Sequence, residues 1–146
     1  MNMNHRDEEI LILELFRKNY AEFPKGKLVK SESPDFILKI NPRRSIGIEI
    51  TRLHDSSIPK SNPGFPVAEL TQRNIESTIN NKEEKLSLYQ KKKISECWLI
   101  IATDYIHLSS GKNFSTLIEK WEFSTGYQKV FIIDLFNHKI HQVNIQ

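Results

Sequence analysis

Apolar and polar positions follow two distinct periods along the chain. Five segments have the short apolar or alternating pattern that is typical of strands: residues 36–40, 46–53, 97–103, 129–135 and 139–145. The first two are rich in β-branched and aromatic side chains and flank a proline-containing tetrapeptide at 41–44, which predicts a β-hairpin. Residues 97–103 and 129–135 are continuously apolar and are expected to be buried on both faces. Residues 139–145 alternate as an edge strand does.

Three other segments have apolar side chains three or four positions apart, which predicts helices over residues 7–20, 67–93 and 113–123. The segment 67–93 contains no proline or glycine, so one long helix is expected. Residues 22–33 and 54–66 contain prolines and glycine and are predicted to be loops. The order of the elements predicts a single α/β domain over residues 1–146, with a mixed sheet that starts from a β-hairpin and is flanked by helices.

The composition is that of an ordinary globular domain, with 38% hydrophobic and 27% charged residues among 146. The single cysteine, Cys97, excludes an intrachain disulfide and a cysteine-rich zinc site, and no other histidine has ligand spacing with His54. The chain shows no secretory signal and no apolar stretch of about 20 residues, so a cytoplasmic location is expected. The formal net charge is +3, which suits either a polyanionic partner or a mildly basic surface.

Two acidic residues stand on the predicted hairpin. Asp35 directly follows Pro34 at the start of the first strand, and Glu49 lies inside the second. Because side chains alternate along a strand, Glu49 points to the face opposite Ile48 and Ile50. Glu49 is either a salt-bridge partner on a solvated face or a member of a site with Asp35, since a hairpin can bring the two together. Adjacent carboxylates repel each other unless a cation neutralises them, and Mg²⁺ prefers such oxygen ligands.

The pattern Pro34-Asp35 … Glu49-Ile50-Thr51 resembles the motif of the PD-(D/E)xK nuclease superfamily, whose fold is restriction-endonuclease-like. The resemblance implies a Mg²⁺ or Mn²⁺ ion held by Asp35 and Glu49, and an endonuclease that hydrolyses phosphodiester bonds, with DNA as the expected substrate. The third motif residue of the superfamily is a lysine, and Thr51 stands there in this chain. The superfamily's αβββαβ core also has an early third strand, which is either hidden here or supplied by the next predicted strand.

The predicted helix 67–93 offers two lysines in place of the missing one. Lys82 interrupts the apolar stripe between Ile79 and Leu86. Either its stem packs while the ammonium reaches water at the edge, or the ammonium points toward the two carboxylates. Some branches of the resembled superfamily carry the catalytic lysine on the following helix, and this pattern is similar to such a branch. Lys82 is the preferred candidate, and Lys85, near the same face, is the alternative.

Some members of the resembled superfamily also take a helix glutamate into the metal site. Glu9 is the first candidate here and Glu14 the second, and the alternative for Glu9 is a purely dipolar role in the first helical turn. A competing hypothesis follows from Thr51: the chain is a catalytically inactive module of the same fold that binds nucleic acid or a protein partner. For an active enzyme of this size, a homodimer would help to cut both strands of DNA.

Overall fold

The computed structural model describes residues 4–53, 70–104 and 114–146. Its helices are α1 (His5–Asn19), α2 (Gln72–Glu83), α3 (Leu86–Gln90) and α4 (Phe114–Ile118). Its strands are β1 (Lys27–Lys30), β2 (Phe36–Asn41), β3 (Arg44–Arg52), β4 (Glu96–Thr103), β5 (Glu122–Phe123), β6 (Lys129–Asp134), β7 (Lys139–Gln142) and β8 (Asn144–Ile145).

Six of these strands form a mixed sheet in the order β1-β2-β3-β4-β6-β7. The first three are antiparallel neighbours, β3, β4 and β6 run parallel, and β7 returns antiparallel at the far edge. Strands β5 and β8 pair separately as a short parallel ladder. The predicted α/β class with a mixed sheet and flanking helices is confirmed.

A hydrophobic core covers each face of the sheet. On one face, α1 packs Leu13 and Phe16 against Trp98 and its neighbours. On the other face, α2 and α3 contribute Ile79 and Tyr89. Successive residues of the central strands enter opposite cores, which explains why these strands are apolar without interruption.

The hairpin, the two central strands and the first helix are confirmed. Only Pro42 and Arg43 separate β2 from β3, so the proline-containing tetrapeptide makes the reversal. Strands β4 and β6 are buried over almost their whole length. Strand β7 lies at the edge of the sheet, as the alternating pattern predicts.

Strand β1 lies within residues 22–33, where the sequence predicts a loop. Its four residues begin and end with lysine, so no apolar run marks it. It is held by antiparallel pairing with β2, in which Lys30 lies opposite Phe36. A third strand that the sequence pattern leaves hidden therefore precedes the hairpin.

The prediction of one long helix over 67–93 is wrong, because α2 ends at Glu83 and α3 is a separate helix. No proline or glycine lies at the break, where the segment before β6 contacts the end of α2. The Tyr127 hydroxyl donates to the Lys82 carbonyl oxygen at 3.0 Å, and the Gly126 N–H donates to the Glu83 carboxylate at 3.2 Å. The first bond provides a partner for a backbone carbonyl at the helix end, and the second holds a side chain of the same turn.

The prediction of a third helix over 113–123 is wrong in its second half, since α4 ends at Ile118 and the chain enters β5. The predicted edge strand 139–145 is interrupted at Val143, whose N–H donates to the Val130 carbonyl oxygen at 2.9 Å. The chain then leaves the main sheet, and β8 pairs with β5.

The predicted loop at 54–66, with His54, lies outside the described residues. So do positions 67–69 of the predicted long helix. Within the three ranges that the structure describes, no helix combines the length and the apolar character needed to cross a membrane.

Candidate functional site

The hairpin register brings Asp35 and Glu49 side by side. Phe36 pairs with Ile48 across β2 and β3, so one further antiparallel step places Asp35 level with Glu49. Asp35 Oδ2 accepts a hydrogen bond of 2.7 Å from the Ile50 N–H. The two acids are 7% and 3% exposed, respectively. The alternative in which Glu49 lies on a solvated face is therefore wrong.

Gly47 lets the segment before β2 approach β3 closely. A Cβ atom at this position would lie 2.9 Å from Pro34 Cγ and 3.2 Å from Ile94 Cγ2. A side chain there would displace the proline that directly precedes Asp35. The glycine and the proline together fix the point at which Asp35 enters the hairpin.

The first helix adds a third acid. Glu9 is 6% exposed, and its Oε1 atom lies 3.1 Å from Lys30 Nζ. Its Oε2 atom lies 3.7 Å from His5 Nε2, and the carboxyl group is within hydrogen-bonding reach of Asp35. The structure thus brings Glu9 to the acid pair. Glu14 is exposed and pairs with a neighbouring arginine on the helix surface, so it is not part of this cluster.

Both candidate lysines lie near the break, Lys82 in the last turn of α2 and Lys85 between α2 and α3. Lys85 Nζ lies 3.4 Å from Glu49 Oε1, while the buried Tyr89 hydroxyl donates to Glu49 Oε2. Lys82 lines the same cleft. Among the described residues, Lys82 has no carboxylate within ion-pair distance. The lysine preferred from the sequence and its alternative therefore line one site, and of the two only Lys85 pairs with a carboxylate among the described residues.

The three carboxyl groups are unequally compensated. Burial raises the pKa of Asp35 to about 8, reinforced by the hydrogen bond with Glu9 and the charge of Glu49, and the Ile50 N–H opposes this only in part. Burial acts in the same direction on Glu9, but hydrogen bonds with Asp35 and Lys30 outweigh it and lower the pKa of Glu9. Asp35 is therefore the acid whose charge the described surroundings compensate least.

The two lysines differ as well. Burial and the neighbouring Lys85 charge lower the pKa of Lys82, against the opposing effect of Glu49. Burial also disfavours the charged form of Lys85, but the charge and hydrogen bond of Glu49 outweigh it and raise the pKa of Lys85. Lys85 is thus the counter-ion of Glu49, and Lys82 is the more readily deprotonated lysine.

These groups line an open cleft of about 600 Å³. Six basic side chains contribute to its wall: His5, Arg6, Lys30, Arg52, Lys82 and Lys85. Thr51 lines the cleft at the position where the motif would have a lysine, and its hydroxyl donates to the Arg52 carbonyl oxygen at 3.3 Å. The Arg52 guanidinium bridges Glu8 on α1 and Asp104 after β4. Glu8 and Glu32 also line the cleft, so charges of both signs surround the buried carboxylates.

The donor set fits a hard divalent cation. Asp35 and Glu49 are level with each other and offer carboxylate oxygens, the ligands that Mg²⁺ prefers. In residues 4–53, 70–104 and 114–146, no group of three or more histidine, cysteine, aspartate or glutamate side chains is arranged to hold a metal ion. The chain would thus offer one or two carboxylates, and Mg²⁺ commonly takes its other ligands from water and phosphate.

Two residues of the site are not predicted from the sequence. Lys30 lies on β1, whose four residues Lys-Leu-Val-Lys show neither an alternating pattern nor a long apolar run. Tyr89 has the spacing of a core residue, and it is fully buried. Its bond to Glu49 spans 40 positions along the chain, so only the folded structure reveals it.

No protein-family model, curated protein or solved structure compared with the chain matches it. The function is therefore inferred from the geometry and chemistry of the site.

Proposed function

We propose that this protein is a metal-dependent endonuclease of the PD-(D/E)xK superfamily, with a restriction-endonuclease-like sheet, and that it hydrolyses phosphodiester bonds of DNA. One observation carries the proposal: two buried carboxylates, Asp35 and Glu49, lie level at the end of a hairpin, in a cleft that two lysines of the next helical segment also line. The order of these residues along the chain agrees with the motif of a branch whose lysine has moved to the following helix.

Asp35 and Glu49 would hold a Mg²⁺ or Mn²⁺ ion. Such an ion, when bound, polarises the phosphate and acidifies a water molecule. The chain orients both ligands in advance. The Ile50 N–H holds one Asp35 oxygen, and Lys85 and Tyr89 contact the two oxygens of Glu49. Partners of this kind fix the orientation of metal ligands and tune their basicity.

Lys82 is the proposed catalytic lysine. Its lowered pKa favours proton exchange with a water molecule in the cleft, and its charged form stabilises the negative charge that develops on the phosphate. Lys85 is less suited to proton exchange because its charge is engaged by Glu49.

Basic side chains of the cleft support a polyanionic substrate. Six of them line the cleft beside its five acids, and lysine and arginine form charge-assisted hydrogen bonds with phosphate oxygens. If they bind nucleic-acid phosphates, binding should weaken as salt increases. A homodimer would present two clefts to the two strands of a duplex, and sedimentation of the protein with and without DNA tests this part of the proposal.

A second candidate is a catalytically inactive module of the same fold that binds nucleic acid or a protein partner. Thr51 favours this candidate, because the motif lysine would stand at that position. The inactive module would bind Mn²⁺ weakly or not at all, and it would leave DNA intact.

Calorimetric titration with Mn²⁺ separates the two candidates. The wild type should bind the ion, and the double variant Asp35→Ala/Glu49→Ala should not. Glu14→Ala is the matched control, since it removes an acid from α1 that lies outside the acid cluster, and it should bind as the wild type does.

Cleavage of plasmid DNA, single-stranded DNA and RNA then identifies the substrate and the lysine. Lys82→Ala should lose cleavage while it retains Mn²⁺ binding, and Lys91→Ala, an exposed lysine after α3, should retain both. Loss of cleavage in Lys85→Ala alone would assign the catalytic role to Lys85, the alternative lysine. A wild type that binds no Mn²⁺ and cleaves none of the substrates would overturn the nuclease and favour the inactive module.

A further inference from the structure

Both carboxylate oxygens of Glu9 face basic side chains, one from Lys30 and the other from His5. Lys30 Nζ lies 3.1 Å from Glu9 Oε1 and 3.2 Å from the Asp35 carbonyl oxygen. It also lies 4.6 Å from the centroid of the Phe36 ring. On the other side, His5 Nε2 is 3.7 Å from Glu9 Oε2. Glu9 therefore reaches the acid pair with its charge already compensated.

The ammonium of Lys30 is held more firmly than that of Lys85. An ammonium has three donors, and at Lys30 two oxygens and an aromatic ring surround it. The Lys30 side chain is 22% exposed, whereas the Lys85 side chain is 38% exposed and makes a longer contact of 3.4 Å with Glu49. Lys85 has this one ion-pair contact to give up if a cation approaches Glu49. Lys30 would have to leave all three partners to make Glu9 available.

We propose that Lys30 is a positioning residue that acts as a built-in cation beside Glu9, so that the metal centre holds one divalent ion, at Asp35 and Glu49, rather than two. The inference rests on the proposed function, because it concerns the same site. A second divalent ion at Glu9 would have to displace Lys30 or stand beside its charge at close range.

Lys30→Met is the decisive substitution. Methionine keeps an unbranched stem beside the Phe36 ring and removes the charge, so Glu9 is released as a ligand. Lys27→Met is the matched control, since it removes an exposed lysine from the other end of the same strand. Adding Glu9→Gln to Lys30→Met removes the ligand that the first change releases.

The measurement is the number of Mn²⁺ ions bound per chain, from titration followed by electron paramagnetic resonance without substrate. The wild type and Lys27→Met should bind one ion, Lys30→Met two, and Lys30→Met/Glu9→Gln one again. Lys30→Gln, which also lacks the charge, should bind two as well and replaces the methionine variant if that variant does not fold.

The outcomes separate this inference from the proposed function. Two ions in the wild type, or one ion in both Lys30 variants, would overturn the role of Lys30 and leave the metal centre in place. No ion in the wild type and in any of the variants would overturn the metal centre itself, and the inference with it.

Discussion

Two buried aspartates stand at strand ends of the same sheet in very different surroundings. Asp134, the last residue of β6, is 3% exposed and accepts three hydrogen bonds of 2.9 Å, from the N–H groups of Phe136 and Asn137 and from the Asn137 side-chain amide. Asp35, just before β2, is 7% exposed, accepts one such bond from Ile50 and lies beside two other carboxyl groups.

This difference distinguishes an acid that builds the fold from one that is suited to bind a ligand. The three donors at Asp134 replace the water that the carboxylate loses on burial, and they stabilise the turn into β7. At Asp35 one donor is opposed by burial and by two acidic neighbours, so the ionised form is disfavoured until a cation arrives. Burial alone does not separate the two aspartates; the balance of donors and charges does.

The largest expected effect is on metal binding. Asp35→Asn keeps an acceptor for the Ile50 N–H and removes the charge, so Mn²⁺ affinity and cleavage should fall by more than about 100-fold, beyond the effect typical of residues that only support a ligand. Asp134→Asn, measured per folded molecule, should retain both. Equal losses in the two variants would show that the aspartates do not differ in function.

The next effect is on the free energy of unfolding, and here the change at Asp134 should be larger than the change at Asp35. Asp134→Ala leaves three donors without their acceptor and should lower the free energy of unfolding by about 2–4 kcal/mol. Asp35→Asn should change it by less than about 1 kcal/mol near pH 7 in EDTA, because Asp35 is then largely protonated. Urea denaturation measures both, and a larger loss for Asp35→Asn than for Asp134→Ala would contradict the comparison.

The third effect is a dependence of the free energy of unfolding on pH. The pKa of Asp35 in the folded chain is about 8, above the ordinary value of 3.8. Between these two pH values, the folded chain therefore binds more protons than the unfolded chain does. The free energy of unfolding should therefore fall as pH rises from about 5 to 8, by up to about 1.4 kcal/mol per pH unit from this group. Glu9, whose pKa is lowered, acts only below this window.

The control for the pH dependence is Asp35→Asn, studied by thermal or urea unfolding in EDTA. Its stability should vary less over the same pH range than that of the wild type. If the free energy of unfolding varied equally with pH in the two proteins, the charge of Asp35 would have to be compensated in the folded state.

The smallest expected effect is the loss of stability when one of the three hydrogen-bond donors to Asp134 is removed. Asn137→Ala removes the side-chain amide bond and leaves the two backbone bonds, so a loss of about 1 kcal/mol is expected. Urea unfolding measures this loss. A loss as large as that of Asp134→Ala would mean that the amide, rather than the set of three donors, compensates the charge.

The elements that could be predicted are those whose own residues show a clear apolar or amphipathic pattern. The hairpin, β4 and β6 are marked by continuous apolar runs, and α1 by its stripe and terminal charges. Strand β1 could not be predicted because pairing with β2, rather than its own composition, makes it a strand. At the break between α2 and α3, Tyr127 contacts Lys82 from 45 positions away, and local propensity cannot register such a contact.

The candidate site divides in the same way. The closeness of Asp35 and Glu49 could be predicted because hairpin register is local. The engagement of Glu9 by Lys30 could not, since it joins α1 to a strand that the pattern does not show. The pairing of Lys85 with Glu49 also joins residues 36 positions apart. Spacing places both lysines near one face and cannot rank them.

The close packing at Gly47 has a consequence for how this sequence can change over time. Because a Cβ atom there would lie only 2.9 Å from Pro34 Cγ and make a tight contact of 3.2 Å with Ile94 Cγ2, positions 34, 47 and 94 form one steric unit spread over three segments of the chain. We expect them to covary among homologues, with a residue larger than glycine at position 47 tolerated only where position 34 or 94 is smaller. A set of homologues in which position 47 varies independently of the other two would refute this evolutionary coupling.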